Sequence, residues 1–340
     1  MALKSRLFTP EDYYFLLKAG SLDEFLEYLA TTTYGPALSD WDRQAPQADQ
    51  DFSRRLYGEL AQAYLKVARG LKKREGRFLR LLARRLVAEN LKVVLRALHQ
   101  GLSPPQAALL LAPLDGLTSL DFRELLRLDS IPALTEHLAR TPWGPPLARG
   151  LPRYQREGSL FPLEMSLDLG VWQDLLAGVD DLAAGDRRLA GEMLNLLAEA
   201  TNLVWFARFR ELYGYSGEEI YQYLLEAGRF RKPRARHYLA FAPDLEAMTA
   251  ALPSRPYGEL LQGAGGVAEL ERRLQDYWLK RLSRVLALPP LQIGLPLAYV
   301  FLRELEIADL ITMLTGLRLE LPTEQVKPYL RGKAAGGRHV

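Results

Sequence analysis

The segment of this chain that is most similar to a phosphate-binding loop lies at residues 263–268. Its sequence, Gly-Ala-Gly-Gly-Val-Ala, fits the G-x-G-x-x-A pattern in which glycines let the backbone approach a pyrophosphate. That chemistry also needs a β-strand before the first glycine. The residues before Gly263 continue a helical pattern instead, so we interpret the segment as a flexible loop that precedes a helix over residues 269–288.

Acidic and histidine residues form no recognisable metal or catalytic motif. Asp180, Asp181 and Asp186 are spaced like an aspartate-rich magnesium motif, but the second acidic motif of such a site is not found at 195–199 or elsewhere. This favours an acidic turn between helices. The chain has no cysteine, and its histidines stand alone, without a second ligand at helical spacing: His99, His137, His237 and His339. We therefore predict no catalytic, cofactor-binding or metal-binding residue, and a protein that is not an enzyme.

The elements that position these residues repeat along the chain. Residues 16–35, 125–144 and 239–258 align without a gap, and each segment ends in an aromatic-glycine pair: Tyr34-Gly35, Trp143-Gly144 and Tyr257-Gly258. The glycines are 109 and 114 residues apart. We expect the three aromatic side chains to be buried. We expect each glycine to end a helix in the left-handed conformation.

A second block repeats with nearly the same period. Residues 81–98, 193–210 and 300–317 share apolar columns, and a polar residue precedes one column each time: Asn90, Asn202 and Asp309. Their spacings are 112 and 107 residues. Ser103, Ser216 and Thr323 follow at similar distances as candidate helix starts, and the first two have the sequence of a capping box. Because the two blocks recur three times in the same order, the sequence predicts three related units.

The fold class predicted from these patterns is all-α. Apolar residues recur at three- and four-residue spacing, and Thr9-Pro10-Glu11-Asp12 is a helix start. The predicted irregular stretches are 39–51, 111–118, 142–162, 231–236 and 253–266. We expect three helical-bundle units over residues 1–118, 119–232 and 233–340, the last with a short flexible tail from Gly332.

Composition narrows the class of protein further. Hydrophobic residues make up 48% of the chain, enough for a packed core, and the net charge is +3. The start of the chain lacks the apolar core of a signal peptide. The best candidate for a membrane span, 291–302, is too short and contains Gly294 and Pro296. We expect a cytosolic protein that does not span the membrane.

Basic residues cluster at 66–85 and at 229–236. Four interpretations stay open for these clusters: a solvated helix face, an anionic protein partner, lipid headgroups, or nucleic acid. A net charge of only +3 argues against a dedicated nucleic-acid binder, so we expect no nucleic-acid partner.

The ordered motifs resemble one family over essentially the whole chain. The opening from Thr9 to Gly35, the pairs Asn90-Leu91 and Asn202-Leu203, and the closing segment 296–324 are similar to the C/d family of central-stalk subunits in V/A-type rotary ATPases. Two features depart from that family's pattern. The chain begins at Met1, a helical turn or two later than usual. The third unit has Asp309-Leu310-Ile311 where an Asn-Leu-Arg sequence is usual.

The resemblance implies a fold and a function. It implies a funnel-shaped, pseudo-threefold, all-helical body that works as a non-catalytic central-stalk rotor subunit. Its implied partners are the axle subunits and the membrane proteolipid ring, on the cytoplasmic face of the membrane, with one copy in the complex. It would transmit torque between ion transport and ATP synthesis or hydrolysis. Such a joint should have an open concavity with polar walls and a modest apolar floor.

Two alternatives from other classes stay open. A helical-repeat scaffold for another assembly would share the repeats but would not copurify with ATPase subunits. A helical enzyme would instead have paired acids with strongly perturbed pKa values facing a cavity.

Overall fold

The computed structural model describes residues 6–252, 254–287 and 293–332, and it is helical throughout these ranges, with no strand in them. The all-α prediction is confirmed. The predicted flexible tail, beyond Gly332 itself, lies outside the described residues.

The described residues form eighteen α-helices that fall into three sets of six. The order of lengths is similar in each set: three shorter helices, two longer ones and a short one. The first set is α1 Pro10–Lys18, α2 Leu22–Ala30, α3 Gly35–Leu38, α4 Ala48–Arg69, α5 Lys73–Gln100 and α6 Pro104–Ala108. The second is α7 Phe122–Leu125, α8 Ile131–His137, α9 Gly144–Glu157, α10 Phe161–Gly178, α11 Ala184–Glu211 and α12 Gly217–Tyr223. The third is α13 Pro233–Phe241, α14 Leu245–Ala251, α15 Glu259–Leu261, α16 Val267–Leu286, α17 Gly294–Arg318 and α18 Thr323–Val326.

Equivalent side chains start the second helix of each set. Ser21 Oγ accepts from Glu24 N at 3.2 Å, Ser130 Oγ from Ala133 N at 3.3 Å, and Asp244 Oδ1 from Ala247 N at 2.7 Å. Each acceptor satisfies an N–H group that a helix start leaves without a partner. These contacts put the first-block repeat into matching local structures.

The aromatic-glycine pairs give one confirmed prediction and one wrong one. Tyr34, Trp143 and Tyr257 are buried, as expected. Their glycines, however, do not have positive φ angles, and Gly258 is right-handed helical. A Cβ on Gly144 would lie 2.6 Å from the carbonyl oxygen of Leu138, and one on Gly35 would clash with the carbonyl of Ala30. Glycine is required at these two positions because the new helix begins against the end of the previous one.

Two other local predictions need correction. Residues 142–162 are largely helical, because prolines occupy the first turn of α9 and Pro152 lies on its exposed side, where its missing N–H costs least. Thr323 is the first residue of α18 rather than its cap; its Oγ1 donates to the carbonyl of Leu17 at 3.1 Å. The capping boxes at Thr9, Ser103 and Ser216 are present.

Packing divides the chain into two compact units. One unit runs to Leu182 and takes up the chain again from Tyr299; the other begins at Ala183 and runs to Ala298. In the first unit α5 packs against α8 and α10, and in the second unit α11 packs against α13 and α16. The fifth helix of each of these sets therefore packs against the following set. The domain boundaries at 118 and 232 stay a prediction.

The last set also contacts the first, within the first unit. From α17, Glu304 accepts a hydrogen bond from Tyr64 Oη of α4 at 2.7 Å, and Asp309 accepts one from Tyr13 Oη of α1 at 2.9 Å. The fifth helix of the third set thus packs on the first set, as the fifth helices of the other sets pack on their successors.

Candidate binding surfaces

Each long fifth helix carries one buried side chain that holds the loop after it. Asn90 exchanges two hydrogen bonds of 2.9 Å with the backbone N–H and carbonyl of Ala112. Asn202 does the same with Leu225, at 2.7 and 2.9 Å. The partner peptide lies 22 or 23 residues later in both sets. We call this arrangement the bracket.

Asp309 makes the third bracket with different chemistry. Its Oδ1 accepts the N–H of Arg331, and its Oδ2 accepts the N–H of Gly332 at 2.6 Å as well as the Tyr13 hydroxyl. A carboxylate cannot donate, so it binds two consecutive N–H groups rather than one N–H and one carbonyl. Burial raises the pKa of the Asp309 carboxyl to about 6.

The turns between fifth helix and bracketed peptide expose large apolar side chains in all three sets. Single exposed apolar residues occur on the surface of most globular proteins, but here they recur at the same place in each set. We call these the apolar turns. Their exposed residues are Leu102, Leu109 and Leu110 after α5, Leu212 and Tyr213 after α11, and Leu319 and Leu321 after α17.

The first helix of the next set enlarges two of these surfaces. Beside the third turn, α1 exposes Tyr14 and Phe15. Within the second unit, Arg210 donates to the carbonyls of Tyr215 and Ala240, both at 2.8 Å, which joins the end of α11 to α13. There α13 exposes Tyr238 and Phe241. Exposed aromatic residues of this kind are enriched at protein interfaces.

An open groove adjoins the first apolar turn. It lies between α4 and α5, has a volume of about 610 Å³, and is bounded by Leu102, Leu110 and the bracket peptide Ala112. Its charged wall residues already have partners: Asp49 pairs with Arg318, and Arg96 with Glu164. The groove therefore has mixed walls, and its charges are neutralised by the chain itself.

A buried acid cluster joins α17 to the first set. Glu306 accepts from Phe8 N at 2.5 Å, Tyr34 Oη at 3.0 Å and Arg303 Nη1 at 3.3 Å. The Arg303 guanidinium lies 4.0 Å from the centre of the Tyr34 ring. Burial raises the pKa of Glu306 to about 7, and it raises the pKa of Tyr34 well above its ordinary value.

Perturbed acids of this kind are also typical of catalytic sites. Here both carboxylate oxygens of Glu306 accept bonds from the chain's own donors, and neither Glu306 nor Asp309 lines the groove. The cluster holds the first and last sets together, and its acids have no free side for a substrate.

The two basic clusters differ in the structure. Around the α4–α5 turn, the cations of residues 66–80 are exposed and make no ion pair with any other described residue. We call this the basic hairpin, and its exposed cations are Lys66, Arg69, Lys72, Lys73, Arg74, Arg77 and Arg80. In the 229–236 cluster, by contrast, Arg229 pairs with Glu199 at 3.2 Å and the buried Arg236 pairs with Glu226 at 2.6 Å.

The candidate chemical motifs have structural roles. The N–H of Gly265, which a phosphate would need, donates to Glu269 Oε2 at 2.9 Å, and no strand precedes this loop in the described chain. Asp186 Oδ1 accepts the N–H of Ile293 at 2.8 Å. His237 stacks on Phe241. Within the described ranges, no group of three His, Cys, Asp or Glu side chains is placed to hold a metal ion.

Membrane insertion has no candidate helix in the described part of the chain: none of its helices combines the length and apolar character needed to cross a bilayer. Sequence reasoning missed the apolar turns and the acid cluster. Apolar residues at a helix end do not reveal their exposure, and the acid cluster depends on contacts between residues that are far apart in the chain.

These features define an all-helical, internally repeated protein with exposed apolar surfaces suited to protein contacts. A family model described as "ATP synthase (C/AC39) subunit" matches residues 1–329. The chain therefore belongs to the ATP synthase (C/AC39) subunit family, and the resemblance found in its motifs is confirmed.

Curated relatives agree with this assignment. The chain is 24% identical to the C subunit of the A-type ATP synthase from Methanobrevibacter smithii, over 91% of this chain and 80% of that protein. It is 25% identical to the protein of the same name from Thermococcus kodakarensis, over 97% and 87%. With the protein from Methanocaldococcus jannaschii, 22% identity extends over 96% and 83%.

Proposed function

We propose that this protein is a non-catalytic rotor subunit that joins the axle subunits of a V/A-type ATPase to its membrane proteolipid ring. It would transmit torque between ion transport and ATP synthesis or hydrolysis, on the cytoplasmic face of the membrane, as one copy in the complex. Family membership supports the assignment to an ATP synthase. The observation that carries the finer proposal is the apolar turn, which recurs in all three sets.

We propose, as the family resemblance implies, a funnel-like, pseudo-threefold arrangement of the three sets. In each compact unit a fifth helix packs on the following set, and the last one packs on the first set through Tyr64 and Tyr13. The proposed arrangement would bring three equivalent apolar turns around one axis.

We assign the apolar turns to the axle subunits. An axle foot is a soluble helical partner, and large exposed side chains such as Tyr213, Phe15 and Tyr238 provide the anchors that dominate protein interfaces. The long helices behind these turns are closely packed, which resists deformation under load. The opposite ends of the long helices would face the proteolipid ring.

Copurification from cells that express the axle and ring proteins tests this function. We expect the wild-type chain to copurify with both. Replacing Leu212 and Tyr213 by Ser should weaken the axle association, and replacing the exposed residues of all three turns should abolish it, because each turn adds an equivalent contact. The matched control replaces Arg127, Arg140 and Lys280, exposed cations outside the turns, by Ser.

Circular dichroism melting would verify that every variant folds before association is scored. Full axle association of the folded triple-turn variant would contradict the role of the turns. Failure of the wild-type chain to copurify with either partner would favour a scaffold for another assembly.

A further inference from the structure

The basic hairpin has no role in the contacts described above. It carries seven cations and a single acid, Glu75, on a chain whose total charge is +3, so the rest of the chain is net negative. Glu75 is buried, whereas the cations are exposed. The exposed charges of the hairpin's own residues are therefore all positive.

The same helix pairs its cations wherever it is packed. Further along α5, Arg84 pairs with Asp174, Arg85 with Glu304 and Arg96 with Glu164. Along α4 and α5, only the first two turns of α5 and the end of α4 have a run of exposed cations without described partners. The pattern is a property of this end of the helix and does not follow from its composition.

The hairpin also lies far from the first apolar turn. The two surfaces are at opposite ends of α5, which has 28 residues and is therefore about 40 Å long at 1.5 Å per residue. Two surfaces so far apart and so different in chemistry suit two different partners.

We infer that the basic hairpin is a contact surface for anionic lipid headgroups. This inference rests on the proposed function, because it requires that the end of α5 opposite the apolar turn faces the membrane. Each Lys or Arg near an anionic bilayer contributes about 1 kcal/mol of attraction. Leu71, half-buried at the turn of the hairpin, gives it a small apolar tip among the cations.

The chemistry of the hairpin favours lipid over the other anionic partners. Its aromatic residue Phe78 is buried, so it offers no platform on which nucleic-acid bases stack. A fixed acidic protein would bind at one rotational angle and oppose rotation, whereas a fluid layer of headgroups presents the same charge at every angle.

Vesicle cosedimentation of the full chain tests the inference. We expect binding to vesicles that contain phosphatidylglycerol, release at high salt, and no binding to vesicles of phosphatidylcholine alone. The quadruple variant Lys72→Gln, Lys73→Gln, Arg74→Gln and Arg77→Gln should lose affinity by a factor on the order of a hundred or more. The matched control removes four exposed cations elsewhere: Arg231→Gln, Lys232→Gln, Arg234→Gln and Lys280→Gln.

Three results would overturn the inference. The wild-type chain fails to bind anionic vesicles at low salt, or the control loses as much affinity as the hairpin variant, or polyglutamate or single-stranded DNA binds while the vesicles do not. The lipid test is separate from the test of function. In detergent, where no bilayer is present, the hairpin variant should still copurify with the axle subunits.

Discussion

The brackets of Asn202 and Asp309 occupy equivalent places but use opposite chemistry. Asn202 both donates to and accepts from one peptide group, at Leu225, and is completely buried. Asp309 only accepts, and it binds two peptide N–H groups and the hydroxyl of Tyr13. The Asn202 amide bonds only within its own set, whereas the Asp309 carboxylate also accepts a hydrogen bond from Tyr13 of the first set.

This difference gives a physical reason for the aspartate at position 309, where the other two sets have asparagine. An asparagine there would satisfy one peptide group and would lose an acceptor for the Tyr13 hydroxyl or for an N–H. The carboxylate turns a local loop bracket into a link between the last and first sets. In exchange, the third bracket contains a buried titratable group, which the other two brackets lack.

The largest loss of stability should come from replacing the amide of the fully buried Asn202 bracket by a carboxylate. In Asn202→Asp, a carboxylate would face the carbonyl oxygen of Leu225 without a donor. An uncompensated buried charge costs about 3–5 kcal/mol, and urea denaturation should show a loss of that size in the free energy of unfolding. Asn195→Asp is the matched control, because Asn195 Oδ1 only accepts, from Gly228 N at 2.9 Å. We expect the control to lose about 1 kcal/mol or less; equal losses would show that the bracket does not require a donor.

The second prediction concerns pH and the Asp309 bracket. The pKa of Asp309 in the fold, about 6, lies above its ordinary value of 3.8, so the fold binds this proton more tightly than the unfolded chain does. The resulting stabilisation is complete below about pH 4 and is lost as the pH rises through about 6. It amounts to about 3 kcal/mol, because each pKa unit corresponds to about 1.4 kcal/mol.

The variant Asp309→Asn cannot titrate and should lack this pH dependence. Urea denaturation at a series of pH values should therefore show that the stability of the wild type relative to the variant falls by up to about 3 kcal/mol from about pH 4 to about pH 7. Asp42→Asn, which removes an exposed carboxyl outside the cluster, is the control. Parallel pH profiles of the wild type and Asp309→Asn would contradict the assignment of the titration to this bracket.

A third prediction compares the two amide brackets with each other. Asn202→Ala leaves both backbone groups of the buried Leu225 without partners, which costs about 3 kcal/mol. Asn90→Ala should cost only about 1–2 kcal/mol, because Ala112 borders the open groove, where water can replace the lost bonds. Hydrogen exchange at the N–H groups of Leu225 and Ala112 would report each loss locally. A larger loss in Asn90→Ala would show that the groove does not admit water.

The repeat made much of this construction predictable from the sequence. The polar residue before one apolar column of the second block identified three equivalent positions: Asn90, Asn202 and Asp309. The burial of Tyr34, Trp143 and Tyr257 was expected because large aromatic side chains usually belong to a core. The spacing of the apolar residues was sufficient for these predictions, because a helix buries one face and so places buried residues at a fixed spacing along the sequence.

Features that depend on distant contacts were not predictable in the same way. The left-handed prediction was wrong for Gly35 and Gly144, because glycine there allows the close approach of Ala30 and Leu138 at the turn between two helices and not a positive φ angle. The cluster at 229–236 resembles the basic hairpin in composition, but Glu199 and Glu226 neutralise part of it only in the fold. Sequence locates charge and apolar character, whereas packing decides which of them stays exposed.

The smallest expected effects are at the three equivalent helix caps, which test whether the sets are alike away from the brackets. Ser21→Ala, Ser130→Ala and Asp244→Ala each remove one acceptor for a free N–H at a helix start, and each should cost about 1 kcal/mol in urea denaturation. Asp244→Ala should be at the upper end, since its carboxylate also interacts with the positive end of the helix dipole. Asp244→Ser keeps a cap without the charge and should recover most of the loss. Because the three caps are the same construction in three places, similar costs would support equivalent sets. A loss of stability near zero in one set alone would mean that packing, and not the cap, stabilises the second helix of that set. The similarity of the sets would then be limited to the long helices and their brackets.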